Sequence, residues 1–213
     1  MRFCWLFEIG DERTHIIWLF WVNNRTISAV LGFLQLTIAV VSLYQHVFSV
    51  VYFQHIFFCQ SNITADATLT EHFLAYDIII FDYGLMHRVL GTTECVANYL
   101  DGGYMRGLWC LEQMTALLTM YAGLYCFPRY TWMLWPALLV QSSYALGLAV
   151  LTMATAPKLL EAIGGKVTEA LFLRLSIFIG GILVNWLFTL TLWHHYWFVD
   201  DRLHGRHRQV FQI

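Results

Sequence analysis

The chain has 213 residues, of which 59% are hydrophobic and 12% are charged, and its formal net charge is −2. Soluble domains carry about 25% charged residues, so this composition indicates a protein that lies mostly in lipid. The near-neutral charge leaves no basic face for a nucleic acid, and that class of partner is excluded. The lipid bilayer is the first partner that the sequence predicts.

The N-terminal segment, residues 1–26, contains two short apolar patches separated by a polar stretch around Glu12 and Arg13. Neither patch is long enough to cross a bilayer. Glu8 interrupts the apolar core that a cleaved signal peptide would need. We predict that this segment is a cytosolic stretch lying against the membrane surface.

Four apolar runs then follow, and a helix needs about 20 apolar residues to cross the hydrocarbon core of a bilayer. The predicted spans are 27–58, 108–127, 131–156 and 168–199. The first is longer than a bilayer requires, so we expect its second half to project outward. The predicted fold class is all-α and transmembrane, a four-helix bundle with a partly β first extracellular loop.

Three connecting segments complete this topology. Residues 128–130 are too few for anything but a turn, so the second and third spans are expected to be antiparallel neighbours. Residues 157–167 are predicted to be a second extracellular loop, and 200–213 a cytosolic tail.

The orientation is predicted from the Lys and Arg residues near the spans, which are enriched on the cytosolic side. The side that holds both termini has seven Arg residues, whereas the other side has four basic residues. We therefore expect both termini in the cytosol and residues 59–107 outside the cell. Asn62-Ile63-Thr64 is then an external N-glycosylation sequon, whereas Asn24-Arg25-Thr26 is cytosolic and unmodified.

The predicted external loop contains two strand-like runs, 75–81 and 93–100, and the second reaches a hairpin turn signal at Asp101-Gly102-Gly103. If Gly102 and Gly103 form the turn, Cys95 lies opposite Cys110. A turn placed one residue earlier pairs Cys95 with Leu108 instead. Oxidising surroundings favour at least one disulfide, and Cys59 with Cys95 is the competing pair.

Contacts between the spans are predicted from small residues four positions apart, which let helices approach closely in lipid. Glu112 and Arg174 lie at similar predicted depths near the outer leaflet and are candidates for an ion pair. The alternative is that each side chain reaches the headgroups separately. Each span has one small-residue pair: Ser28 and Gly32, Thr119 and Gly123, Ala145 and Ala149, Ser176 and Gly180.

A family resemblance follows from the four spans, the cytosolic termini, the strand-like loop and the motif Gly107-Leu108-Trp109 next to Cys110. In these features the chain resembles claudin-type tetraspan proteins of cell junctions and the small tetraspan proteins of insect septate junctions. In claudins the Gly-Leu-Trp triplet precedes both loop cysteines, whereas here it follows Cys95. The resemblance implies a loop that packs as a small sheet on the membrane and contacts neighbouring molecules.

Enzyme and cofactor functions find little support in the sequence. His46 and His55 are predicted to lie toward the outside and His194 and His195 toward the cytosol, so they cannot converge on one metal or haem. Cys-x-x-Cys, P-loop, HExxH and serine hydrolase motifs are absent from the sequence. No cofactor is therefore predicted.

The expected function is a non-enzymatic plasma-membrane protein at lateral cell contacts, assembling with other membrane proteins as a homo- or hetero-oligomer through its first extracellular loop. Two alternatives stay open. One is an accessory subunit of a channel, receptor or transporter. The other is a membrane enzyme of lipid metabolism that uses His194, His195 and Asp200 at the cytosolic face.

Overall fold

The computed structural model describes residues 2–3, 7–10, 12–16, 20–53, 103–164 and 169–210, although the side chains of some of them lie outside the description. The described chain is mostly helical, as the sequence predicted. Its four helices are α1 Asn24–Phe53, α2 Gly103–Tyr121, α3 Trp135–Gly164 and α4 Glu169–Val210.

A tight connection joins α2 to α3. A π-helical turn, Ala122–Cys126, continues α2, and a 3-10 turn, Thr131–Leu134, leads into α3. The amide of Phe127 donates to the carbonyl of Ala122 at 2.8 Å, and the amide of Tyr130 donates to the carbonyl of Phe127 at 3.0 Å. These bonds give partners to backbone groups near the end of the helix that would otherwise lack a hydrogen bond.

The helix ends differ from the predicted span ends. The α1 helix begins at Asn24 rather than residue 27, and α2 begins at Gly103 rather than residue 108. The α3 helix continues into the predicted loop as far as Gly164, and α4 continues into the predicted tail as far as Val210. A polar run can end an apolar span without ending a helix, because good helix formers occur in both extensions: Lys, Leu, Glu and Ala in the first, and Arg, Leu and Gln in the second.

The N-terminal segment forms a four-stranded antiparallel sheet where the sequence predicted only an interfacial stretch. Its strands follow in chain order, and Glu8 on β2 lies opposite His15 on β3. Side chains alternate, since Glu8 and Arg13 are exposed whereas Ile9 and Thr14 are buried. The strands are β1 Arg2–Phe3, β2 Phe7–Ile9, β3 Arg13–Ile16 and β4 Phe20–Asn23.

Asn24 joins this sheet to α1. Its buried amide nitrogen Nδ2 donates to the carbonyl of Gly10 at 2.7 Å, and its Oδ1 accepts from the hydroxyl of Thr14 at 2.6 Å. The backbone amide of Asn24 also donates to the carbonyl of Glu12 at 3.1 Å. Asn24 therefore cannot be glycosylated in the folded chain, because the nitrogen that would carry the sugar is buried and hydrogen bonded.

Most of the predicted external loop lies outside the described residues, including both strand-like runs, Cys59, Asn62 and Cys95. The hairpin that would place Cys95 opposite Cys110 does not form, however. It needs residues 104–110 as a strand, and these residues belong to α2. Their backbone groups are engaged in the helix and cannot pair with a strand.

Contacts along the chain define two compact units. The first comprises Met1–Gln35, Thr115–Ser143 and Val184–Ile213, and the second comprises Leu36–Met114 and Tyr144–Leu183. In the first unit, Phe33 is 66% exposed while Asn185 is fully buried; in the second, Tyr52 is 71% exposed while Gln45 is 1% exposed. Both units therefore bury polar side chains and expose large apolar ones.

Two segments of the described chain are long and apolar enough to cross a membrane, judged by length and composition alone. They are Asn24–Tyr52, with a mean hydropathy of 2.0, and Thr131–Val150, with a mean hydropathy of 1.4. They overlap the first and third predicted spans, 27–58 and 131–156. The second and fourth predicted spans are helical but are not among these two segments.

Candidate functional site

Four polar side chains from three helices meet inside the first unit, and we call them the polar cluster. Gln35 comes from α1 and Gln141 from α3, whereas Asn185 and Thr189 lie one turn apart on α4. Gln141, Asn185 and Thr189 are buried, and Gln35 is half-buried. All four residues interrupt otherwise apolar stretches of sequence.

Hydrogen bonds connect the polar cluster into a chain. The Gln141 amide nitrogen donates to Oε1 of Gln35, and the Gln35 amide nitrogen donates to Oδ1 of Asn185. The Thr189 hydroxyl donates to the backbone carbonyl of Asn185 at 2.9 Å and lies 3.5 Å from the carbonyl of Gln141. Gln35 thus acts as both acceptor and donor, and it links α3 to α4.

Small residues let the helices approach beside the polar cluster. A Cβ atom added to Gly32 would lie 2.5 Å from Cε of Met120 and 3.6 Å from Cζ of Phe188, so α2 and α4 both contact α1 at this glycine. The Tyr121 hydroxyl donates to the backbone carbonyl of Ala29 in α1. Gly32 therefore lies at a helix contact, as the small-residue pattern predicted, and Ser28, one turn earlier, is fully buried.

An aromatic group lies on the same helices, a few turns from the polar cluster. The Trp193 indole nitrogen donates to the Ser142 hydroxyl at 3.0 Å. The Trp135 ring meets Trp193 and Tyr196 edge to face, with centroids 6.0 and 5.7 Å apart. Such rings combine an apolar body with a polar edge and are typical of the boundary between membrane and water.

The polar cluster is uncharged, and this limits what it can do. Amide and hydroxyl groups do not titrate near neutral pH, so none of the four is a general acid or base. In the described residues, no group of three or more His, Cys, Asp or Glu side chains could hold a metal ion. The arrangement fits a role in holding α1, α3 and α4 together.

A protein-family profile matches residues 6–204, which is most of the chain and includes the polar cluster. The chain belongs to this family, described as "Family of unknown function (DUF8774)". The matched residues cover β2 to β4, α1, α2, α3 and most of α4. No curated protein and no solved structure matches the chain.

The predicted loop motif Gly107-Leu108-Trp109 lies in the first turns of α2. A Cβ atom on buried Gly107 would lie 3.3 Å from the imidazole of His46, so this glycine lets α2 approach α1. The Trp109 and Tyr144 rings are tilted with centroids 5.7 Å apart, and Leu108 is 57% exposed. Two of the three residues thus pack helices in the second unit.

The remaining predicted site residues are not brought together by the described structure. Glu112 is exposed on α2, and the side chain of Arg174 lies outside the description, so their ion pair stays a prediction. Cys110 is fully buried. The disulfide candidates Cys59 and Cys95 and the glycosylation candidate Asn62 also stay predictions.

The histidines considered as ligands are dispersed. His194 and His195 are buried neighbours on α4, and the His194 ring packs edge to face against Trp197 with centroids 5.5 Å apart. His46 belongs to the second unit and contacts Gly107. Asp200, the third residue of the lipid-enzyme alternative, is half-buried on α4.

Gln35 is the member of the polar cluster at its centre, and the sequence did not single it out. Gln141 and Asn185 are amides within the apolar runs of the third and fourth predicted spans. Gln35 is the same signal in the first span, an amide with apolar neighbours in an uncharged run. Amides on three apolar spans are a signal for a hydrogen-bond network between helices.

Proposed function

We propose that this protein is a non-enzymatic, four-span membrane protein. Its helices carry residues 59–107 on the outer surface of the cell, where this segment assembles a junction or adhesion complex with other membrane proteins. The observation that supports the proposal is the inverted polarity of both units, which bury amides and hydroxyls and expose large apolar side chains.

The inverted polarity is costly in water and favourable in lipid. Each square ångström of apolar surface removed from water contributes about 25 cal/mol. The outward face of α1 alone presents Val30, Phe33 and Leu34 in one unit and Val40, Val41 and Tyr44 in the other. Acyl chains would cover this surface, and no other part of the described chain does.

The polar cluster supports a structural function for the helices. Helices in lipid gain little from burying apolar groups against each other, so hydrogen bonds and close packing supply the association energy. The bonds of Gln35 to Gln141 and Asn185 are of this kind. A neutral network whose bonds join three helices favours an assembly protein over a proton carrier or a hydrolase.

Four spans are proposed because α2 and α4 share the surroundings of α1 and α3. Gly32 on α1 contacts Met120 of α2 and Phe188 of α4, and Gln35 bonds to Gln141 of α3. If only α1 and α3 crossed the membrane, α2 and α4 would have to lie in water while packed against them in the same unit. Four membrane-spanning helices avoid this conflict.

The membrane placement is tested by combining extraction, glycosylation and labelling of the full chain expressed in epithelial cells. We expect the protein to stay in the membrane at alkaline pH and to carry a glycan that Asn62→Gln removes. Thr26→Ala, which destroys the buried sequon, is the matched control and should change nothing. Release of the chain at alkaline pH would exclude the proposal.

Orientation is tested with Cys126, which is exposed in the turn after α2. A membrane-impermeant maleimide should label it only after permeabilisation, and Cys126→Ser identifies the labelled band. Labelling of Cys126 on intact cells would place the turn outside and contradict the proposed topology.

The assembly function is tested by localisation and depletion in a polarised epithelium. We expect a tagged copy at lateral contacts and a loss of the paracellular barrier when the protein is depleted. A diffuse distribution with co-purification of one pore-forming protein would instead identify an accessory subunit.

A further inference from the structure

Two polar groups at the start of α1 are buried without a hydrogen-bond partner among the described residues. They are Nε of Arg25 and the hydroxyl of Ser28. Ser28 is fully buried, and Arg25 is half-buried. A buried polar group that lacks a partner costs about 1–3 kcal/mol, so two such groups in one place call for an explanation.

The two residues lie on one face of α1. Residues three apart on a helix are neighbours, and side chains tilt toward the helix N-terminus, so Ser28 leans toward the turn that carries Arg25. The Arg25 guanidinium carbon lies 4.6 Å from the centroid of the Tyr125 ring. The site therefore lies between the first turn of α1 and the turn after α2.

The charge of Arg25 is of the wrong sign for its position. The N-terminus of a helix carries a partial positive charge that favours anions. The first turn of α1 nevertheless contains Arg25 and no acidic residue. An anion bound here would offset both the helix dipole and the guanidinium.

We propose that Arg25 and Ser28 bind a phosphate group, supplied either by the headgroup of an anionic phospholipid or by free phosphate. The proposal rests on the membrane placement proposed above, which puts the first turn of α1 at the cytosolic headgroup layer. Arg25 forms the half-exposed entrance, and its flexible side chain moves outward to meet the phosphate. The Ser28 hydroxyl, one turn deeper, then donates to a phosphate oxygen.

The experiment measures thermal unfolding of the full chain in detergent with phosphatidic acid, phosphatidylcholine or inorganic phosphate. We expect phosphatidic acid to raise the midpoint of the wild type, and phosphatidylcholine to leave it unchanged. Arg25→Gln should weaken the apparent affinity for phosphatidic acid about tenfold, because a charge-assisted hydrogen bond is lost. Arg129→Gln, which alters an exposed arginine in the turn after α2, is the matched control and should bind normally.

Ser28→Ala gives a readout that a purely structural role would not. Without lipid this variant should be more stable than the wild type, because it removes an unsatisfied buried hydroxyl. With saturating phosphatidic acid it should be less stable than the wild type, because the bound phosphate loses a donor. An unchanged ranking of the two proteins with and without lipid would overturn the proposal.

The other outcomes are also decisive. A response to inorganic phosphate that Arg25→Gln abolishes supports the site and identifies free phosphate as a source. Equal losses in Arg25→Gln and Arg129→Gln would show general charge attraction and overturn it. A chain that stays in the membrane but ignores both probes refutes this site alone, whereas release at alkaline pH refutes the membrane placement.

Discussion

The same sequence pattern has opposite outcomes on α1 and α4. Ser28 and Gly32 on α1 are buried, and a Cβ atom on Gly32 would collide with Met120. On α4, Ser176 is exposed, and a Cβ atom on Gly180 would meet nothing within 4 Å. Two small residues four positions apart permit a close contact, but they do not say which side of the helix makes it.

The difference lies in the position of the nearest polar side chain. Gly32 is three residues before Gln35, so both lie on one face of α1. On α4 the glycine that precedes Asn185 by four residues is Gly181, and Gly181 is buried. Gly180 is rotated by about 100° from it, since a helix has 3.6 residues per turn. A small residue three or four positions before a buried amide therefore indicates which face of the helix is buried.

The largest effect that would test this comparison is a leucine at each glycine. Gly32→Leu should destabilise the protein by about 1–3 kcal/mol, because the side chain must displace Met120 and Phe188. Gly180→Leu, the matched control, has open space and should leave stability within about 0.5 kcal/mol. Thermal unfolding in detergent measures both. Equal losses at the two positions would show that the pattern alone decides the contact.

A smaller effect is expected from the polar cluster itself. Gln35→Leu, Asn185→Leu and their double variant form a cycle that isolates the hydrogen bond between the two side chains. Polar contacts between membrane helices average about 0.6 kcal/mol in such cycles, and we expect a coupling of that size. Ser143→Leu alters an exposed residue near Gln141 and should show no coupling to Gln35. A coupling of zero between Gln35 and Asn185 would show that their hydrogen bond does not help to determine which face of α1 makes the contact.

The smallest effect is expected at Ser176. Its hydroxyl donates to the Phe172 carbonyl of its own helix at 2.8 Å, and the residue is exposed. Ser176→Ala should therefore change the free energy of unfolding by less than about 0.5 kcal/mol. A larger loss, measured by the same unfolding experiment, would reveal a contact on the face that we describe as unused.

The helices were predictable because long uncharged runs have few alternatives, and the Ser28 and Gly32 contact followed from the same reasoning. The N-terminal sheet was not, since strands of two to four residues leave almost no periodic signal. The helix ends at Gly164 and Val210 were missed because hydropathy indicates which residues favour lipid. It does not indicate where the backbone hydrogen bonds of a helix end. The partners of Gln35 were missed because no local pattern connects residues more than 100 positions apart.

Asn24 and the polar cluster also differ in when they can form. The bonds of Asn24 to Thr14 and Gly10 close loops of 10 and 14 residues, whereas those of Gln35 join residues 106 and 150 positions apart. The entropy of loop closure rises with separation, and a distant partner must first be synthesised. We therefore expect the sheet to close early on the nascent chain and to bury Asn24 at that stage. The contact of α1 with α3 and α4 waits until the last helix has left the ribosome.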